Sequence, residues 1–397
     1  MTDPAQGMRI AFNGLFWGRS TTGSGQYTMR LVERLVRRCP DDRFLLALHT
    51  AQGKPDADEA EMPQANLQQV VMGTPLDWMG DNWSKLWFEQ VSFPRFCRRN
   101  RVDVAHVPYW ASPLWPGVPT VVTIHDLIPL MFSLYRGNLM VRAYSALVSR
   151  SAQRADRIVT DSETSRQDII KLLKVAPEKI EVVYLAADER YHPIDDPDVL
   201  DAVRNKYHLP ERYVFYLGGF DARKNVSFLL QAYAQLAQAW PEAPDLVVAG
   251  RLPQESTEFF PSPQQWIEHL DLAQRVRLIG WVDEEDKPAL YASAGVFVFP
   301  SDYEGFGLPV LESISCGMPA VVTDAGSLPE IVGDGGICVS VGDLNGLARA
   351  MERILRDAAL HESLRLKGLA HAAQFTWERT AQQMSSVYAM AYAQRKR

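Results

Sequence analysis

"GVFVFPSDYEGFGLPVLESISCGMPAVVTD", residues 295–324, holds two short apolar runs joined by a glycine-bearing loop and a helical pattern. The first run, "GVFVFPS" (295–301), and the second, "PAVVTD" (319–324), are short, β-branched or aromatic, and read as strands buried on both faces. Between them Pro309 suits the first turn of a helix, and Gly305 and Gly307 precede it in the loop. Strand, loop, helix, strand is the repeating unit of a parallel sheet, because parallel neighbours require a crossover connection. The same unit sets Glu304 in the loop and Glu312 eight positions later, near the first turn of the helix, where a carboxylate is electrostatically welcome.

Outward from this stretch the pattern recurs. Towards the N-terminus lie "YVFYLGG" (213–219), a helix from 225 to about 240, "DLVVAGR" (245–251) and "VRLIGWV" (276–282). Residues 343–397 read as helices throughout. A polar, proline-punctuated stretch, "DERYHPIDDPDVLDAVRNKYHLPE" (188–211), has no buried run and reads as a linker. Before it come "MRIAF" (8–12), "RFLLALH" (43–49), "VDVAHV" (102–107), "PTVVTIHD" (119–126), "RIVTDS" (157–162) and "KIEVVY" (179–184). Amphipathic stretches such as "YTMRLVERLVRR" (27–38) and "VRAYSALVSRSAQRA" (141–155) intervene. Strands alternating with helices predict an α/β protein with doubly wound parallel sheets. A chain of 397 residues exceeds one comfortable core, so two such domains are expected. No fixed-period repeat interrupts them.

Composition, 47% hydrophobic and 22% charged, is that of an ordinary globular protein. The opening "MTDPAQGMRIAFNG" is polar and runs directly into a strand, unlike a secretory signal, and no apolar run approaches the ~20 residues of a membrane span. Cys39, Cys97, Cys316 and Cys338 lack CxxC spacing and read as reduced thiols, which predicts a cytoplasmic protein. The net charge of −7 argues against a nucleic-acid partner. It is uneven: 23 Lys and Arg face 21 Asp and Glu through Arg190, and 18 face 27 thereafter, so the halves carry +2 and −9. Such a split suggests different partners for the two halves.

Ligands of doubly wound sheets bind beyond the carboxyl ends of the strands, so the residues there are the ones to inspect. After 213–219 comes "GGFDARKN": Gly218 and Gly219 permit a sharp turn, and Arg223 and Lys224 supply two cations at the mouth of a helix. The group reads either as a diphosphate clamp or as a surface pair after a turn. Gly23, Ser24 and Gly25 precede a long helix with free N–H groups, as a phosphate-covering or acceptor loop or as a flexible connection. His125 and Asp126 close a buried strand, where a histidine exchanges protons near neutral pH or serves only the core. Glu304 and Glu312, with exposed N–H groups at Gly305, Phe306 and Gly307, suit a polyhydroxylated ligand, since each carboxylate oxygen accepts two hydrogen bonds.

With these residues assembled, the chain resembles family 4 of the retaining glycosyltransferases, which have the GT-B fold, and within it the mannosyltransferases. The resemblance rests on "SDYEGFGLPVLESISCGMPAVVTDAGSLPEIVGDGG" (301–336), "LGGFDARKN" (217–225), "VTIHD" (122–126), "RIVTDSETSRQDI" (157–169) and "KIEVVYLAADERYHP" (179–193). It implies two Rossmann-like domains facing across a cleft. These are an acceptor-side domain at 1–190, a nucleotide-sugar domain at 191–375, and a helix at 376–397 that packs back on the first. Carried over by position, Glu304 and the N–H groups of Gly305, Phe306 and Gly307 hold the donor sugar, and Glu312 takes the ribose hydroxyls. Arg223 and Lys224 take the diphosphate, with Gly218, Gly219, Arg251 and Leu308 in the donor-binding set, and Trp281 and Val282 near the base. His125 sits beside the reacting sugar, and Gly23, Ser24, Gly25 and Asp126 serve the acceptor or phosphate side. Gly219 departs from the family pattern, where Arg or Ser is common, so the clamp rests on Arg223 and Lys224.

The resemblance implies no metal and no cofactor, the nucleotide-sugar being a substrate. The DxD-like Asp195-Asp196-Pro197-Asp198 reads as a solvated turn. It implies transfer of a hexose, GDP-mannose first, to a glycan or lipid-linked acceptor in polysaccharide or O-antigen assembly. No carboxylate nucleophile presents itself in the sequence, so a front-face path with retention is expected. "WSKLWFEQVSFPRFCRRNRVD" (83–103) interleaves aromatic and basic residues, either as a peripheral membrane contact at the inner face or as a core helix with a cationic outer face. Two other readings are a non-catalytic nucleotide-sugar-binding subunit and a sugar-nucleotide epimerase. Retention of Glu304, Glu312, Lys224 and His125 favours the transferase over the first, and the pairing of "EGFGLP" with "RKN" favours it over the second.

Overall fold

Strand β1 (Arg9–Asn13) begins a parallel sheet with β2 (Arg43–His49), β3 (Leu67–Met72), β4 (Val104–Val107), β5 (Thr120–Thr123), β6 (Arg157–Thr160) and β7 (Ile180–Val182). The computed structural model describes residues 7–19, 22–50 and 65–395; residues 1–6, part of the polar N-terminal opening, lie outside the described residues. The chain divides into two units, Met1–Leu185 with Trp377–Arg397, and Ala186–Thr376. In the first unit the strand order is β3-β2-β1-β4-β5-β6-β7. The second holds β8 (Val214–Leu217), β9 (Leu246–Ala249), β10 (Val276–Gly280), β11 (Val296–Phe299), β12 (Ala320–Thr323) and β13 (Gly336–Val339). Their order is β10-β9-β8-β11-β12-β13. Both sheets reverse direction of growth beside their first strand, the doubly wound Rossmann arrangement.

The central strands β1, β4, β5, β8, β9, β11 and β12 are buried nearly end to end, as a sheet covered on both faces requires. The two strands that hydropathy does not announce are edges. Residues of β3 are half-buried or exposed and none is buried, and only Val339 of β13 is buried. A second correction concerns the stretch 188–211: it contains a helix, Pro197–Lys206, with Val203 its buried residue. Asp196 caps it, accepting from the Asp198 N–H at 3.0 Å, so the DxD-like text is a helix start.

The segment 83–103 folds as helix Asp81–Trp87, a π-turn Phe88–Ser92 and helix Phe93–Arg99. Phe88, Phe93, Phe96 and Cys97 enter the core of the first unit, while Arg95, Arg98, Arg99 and Arg101 stay exposed, so its aromatic residues after Trp87 serve packing. Trp83 remains outside. Among the described residues no helix is long and apolar enough to cross a membrane.

The last helix, Trp377–Arg395, buries Ala381, Met384, Val387, Tyr388 and Ala391 in the first unit. Tyr388 OH meets His106 Nδ1 at 2.9 Å, and His106 Nε2 meets Thr123 Oγ1 at 2.8 Å. Burial presses His106 down to about 3, so its ring is neutral and both nitrogens need these hydroxyls. Tyr388→Phe should therefore lower stability by about 1–3 kcal/mol, the range for orphaning one buried polar group. The urea midpoint reads it, and an unchanged midpoint would show that apolar packing alone holds this helix.

Candidate active site

In the second unit the strand order reverses between β8 and β11, and the loops leaving those two strands meet there. Gly218 turns tightly beneath Tyr216: a Cβ at this position would lie 2.8 Å from the Tyr216 hydroxyl, which donates to Gly219 O at 2.5 Å. The chain then makes one 3-10 turn, Ala222–Lys224, and enters helix Val226–Ala239 through Asn225 in the left-handed region, φ 55°. Asn225 Nδ2 donates to Asp302 Oδ1 at 2.8 Å, and the Asp302 N–H donates to Arg223 O at 2.8 Å. Arg223 in turn donates to Tyr303 O at 2.5 Å. These bonds stitch the loop after β8 to the loop after β11.

The consequence is a convergence of charge. Lys224 Nζ lies 2.6 Å and an Arg223 guanidinium nitrogen 2.7 Å from the same Glu304 oxygen, Oε1. Glu304 is buried, and the ammonium of Lys224 also lies 4.9 Å from the Phe299 ring centroid. Burial pushes the Glu304 carboxyl up, but the Lys224 and Arg223 charges together outweigh it and hold the group below the ordinary carboxylate range. The carboxylate is therefore ionised and fixed. Its backbone is fixed as well, since Ser327 Oγ donates to Phe306 O at 2.6 Å and the Ser327 N–H donates to Glu304 O at 3.1 Å. Gly326, φ 59°, backs onto it so closely that a Cβ would lie 2.3 Å from Glu304 O. Gly326 and Ser327 follow β12 as Glu304 follows β11; inspecting every strand's carboxyl end would have found them.

Gly307, φ 99°, precedes helix Leu308–Ser315. Glu312 is thereby corrected: it is the fifth residue of that helix, past its first turn, because the helix begins only after Gly307. Its role is set by neighbours instead. Tyr291 OH donates to Glu312 Oε2 at 3.0 Å. Burial pushes the Glu312 carboxyl up to about 7, against the opposing Lys287 charge and the Tyr291 hydrogen bond. Beyond β9 and β10, Arg251 lies 5.8 Å over the ring of Trp281, which is 52% exposed, while Val282 is buried.

In the first unit Gly23, Ser24 and Gly25 are the first residues of helix Gly23–Arg38 and not a loop before it. The Gly25 N–H is taken by the Thr22 hydroxyl at 3.2 Å, and Thr28 Oγ1 donates to Ser24 O at 2.6 Å, so the N-terminal turn is capped. Asp126 accepts from the Ile128 N–H at 3.0 Å. His125, just past β5, is held by Asp161, just past β6, with Nδ1 2.6 Å from Oδ2. Asp161, directly after β6 in the text "RIVTDS", was legible only as a strand-end residue.

Two protein families match this chain. "Glycosyltransferase Family 4" covers residues 21–191 and "Glycosyl transferases group 1" covers 201–371. An O-antigen chain mannosyltransferase B of Escherichia coli is 35% identical over 269 residues, 68% of this chain and 69% of that protein. The chain belongs to the family 4 glycosyltransferases. A serotype-specific mannosyltransferase of Escherichia coli is 31% identical over 271 residues, and the chain spans 32% of its length. Among solved structures this glycosyltransferase resembles a sucrose-phosphate synthase from Thermosynechococcus elongatus (TM-score 0.74, 22% identity, 97% of this chain and 99% of the other). It also resembles Anabaena HepE in complex with UDP and glucose (TM-score 0.71, 19% identity, 96% and 99%). At these identities both likenesses speak for the fold, which is GT-B.

Proposed function

We propose that this glycosyltransferase moves a hexose, mannose from GDP-mannose first, onto a glycan or lipid-linked acceptor in polysaccharide or O-antigen assembly, with retention of anomeric configuration. The observation that carries the reading is the convergence of Arg223 and Lys224 on Glu304 at the switch point of the second unit. The mannosyltransferase relatives support the choice of sugar. On this reading the second unit takes the donor, and the first the acceptor. The two cations lie against the diphosphate and stabilise the charge that grows as the bond from the anomeric carbon to the phosphate oxygen breaks. Glu304, already paired with both cations, orients sugar hydroxyls. A carboxylate so paired is a poor nucleophile, which favours a front-face path: the acceptor hydroxyl attacks, and its proton passes to the departing phosphate oxygen. No metal is needed for these steps.

Glu312 takes the ribose diol as an ionised acceptor. Its carboxyl stands near 7 in the folded chain, so the folded state holds its proton where the unfolded chain, near 4.5, has lost it. Stability contributed by Glu312 therefore falls as pH rises between those values, while nucleotide affinity rises through pH 7 as the carboxylate forms. A thermal-shift panel of UDP-, GDP- and dTDP-sugars tests the reading. A ligand at 100-fold its Kd stabilises by roughly 2.7 kcal/mol. One strong hit is expected, about tenfold tighter at pH 8 than at pH 6 from one such proton, and abolished in Glu312→Ala. A folded protein with no hit from any nucleotide-sugar would remove the donor reading.

A further inference from the structure

Both ring nitrogens of His125 face atoms that only accept hydrogen bonds. Nδ1 is 2.6 Å from Asp161 Oδ2, and Nε2 is 3.3 Å from the carbonyl oxygen of Pro108. A neutral imidazole has one N–H, so in either tautomer one nitrogen lone pair would oppose an oxygen lone pair. Only the doubly protonated ring donates to both. The surroundings agree. Asp161 is 2% exposed and approaches from the end of β6, and among the described residues its other oxygen, Oδ1, is buried without a hydrogen-bond partner. Asp126 adds a second negative charge from the loop after β5. Tyr27, from the helix Gly23–Arg38, packs the edge of its ring against the imidazole with centroids 5.0 Å apart, while its hydroxyl is engaged with Thr123 at 3.1 Å. His106, the one other titratable imidazole near it, is held neutral by burial. The His125 side chain keeps 22% of its surface accessible.

We propose that Asp161 is a positioning residue that clamps His125 as an imidazolium, so that His125 serves transfer as an immobile cation facing an anionic group of the substrate and takes no proton from it. The inference rests on the proposed function and on the role beside the reacting sugar that the family resemblance implies for His125. Burial presses the ring towards its neutral form, but the Asp161 charge and hydrogen bond, with Asp126 and Pro108, outweigh burial and raise its pKa. The sign follows: the cation is present at low and neutral pH and is lost as pH rises through the raised value. A general base would show the reverse, gaining activity with rising pH.

The test is a proton–carbon NMR titration of the full chain with labelled histidine, the His125 resonance being assigned by its loss in His125→Gln. In the unaltered protein the midpoint should lie above the ordinary histidine value of about 6.5. A midpoint at or below that value overturns the proposal, whatever Asp161→Asn does. In Asp161→Asn the midpoint should drop by a unit or more, and the alkaline limb of kcat/KM, measured with whichever nucleotide-sugar turns over, should move acidward with it. An unmoved midpoint removes Asp161 as the clamp, and a moved midpoint with an unmoved limb removes the fixed cation from transfer. Failure to find any donor would instead count against the proposed function, since the titration reads the clamp independently of turnover.

Discussion

Replacing Lys224 with methionine should lower kcat by two to three orders of magnitude and leave the chain folded. The Lys224 ammonium is fixed before any ligand arrives, 2.6 Å from Glu304 Oε1 and over the Phe299 ring. A donor held in place in advance needs no reorganisation when charge builds on a leaving phosphate, and removing one such donor typically costs about 10²–10³ in kcat. Methionine keeps the apolar stem against Phe299 while deleting the charge. Glu304 retains Arg223, so its ionised form survives, though less firmly. That has a signature in stability. A carboxyl held below its ordinary range contributes stability above the ordinary value of 4.5, and that contribution is lost as pH falls through the depressed one. In Lys224→Met the depression shrinks, so the loss begins at higher pH. Steady-state kinetics and acid unfolding read the two effects separately. A rise in KM with kcat intact would place Lys224 in ground-state binding and remove it from the transition state.

What could be read from the residues alone divides along physical lines. Central strands such as Val214–Leu217 and Val296–Phe299 are buried on both faces, so their hydropathy is unbroken and their places were legible. The edge strand Leu67–Met72 carries Gln68 and Gln69 and is stabilised by backbone pairing with β2, which leaves no trace in side-chain pattern. Helix Pro197–Lys206 was hidden for a related reason: its start is a cap on Asp196, and its apolar stripe is a single buried valine. Within the site, "ARKN" and "EGFGLP" were legible because each follows a strand of the switch point. That both cations meet one oxygen of Glu304 was not, because it depends on Asn225 and Asp302 binding two loops separated by 77 residues. Asp161 stayed unread for the same reason, being 36 residues from the histidine it holds.

The division of labour between the two glutamates follows from their neighbours. Glu304 is surrounded by cations and stays ionised, whereas Glu312 is surrounded by tyrosines and burial and stands near neutrality. One suits a permanent electrostatic role beside the cations Arg223 and Lys224, the other a reversible hydrogen-bonding role whose strength tracks pH. Environment, not residue type, separates them.

Glu304→Gln probes the first of these roles most directly. Glutamine has the same reach and can still accept a hydrogen bond, but it leaves Arg223 and Lys224 without the carboxylate that both now contact. Two consequences should part company. Transfer should fall by about a hundredfold or more if, as proposed, this fixed carboxylate orients the sugar hydroxyls, because a neutral amide of different donor pattern replaces it. Affinity for the free nucleoside diphosphate should hold or increase, because the two cations are released towards phosphate. A merely structural Glu304 would give another result: breaking a buried pair is destabilising by several kcal/mol, so nucleotide affinity, turnover and melting temperature would decline together. Calorimetric titration of the variant with GDP, beside its turnover with the matching nucleotide-sugar, separates the cases. Retained GDP affinity with lost transfer assigns Glu304 to the sugar, whereas loss of both with a lowered melting temperature assigns it to the scaffold that holds the two loops together.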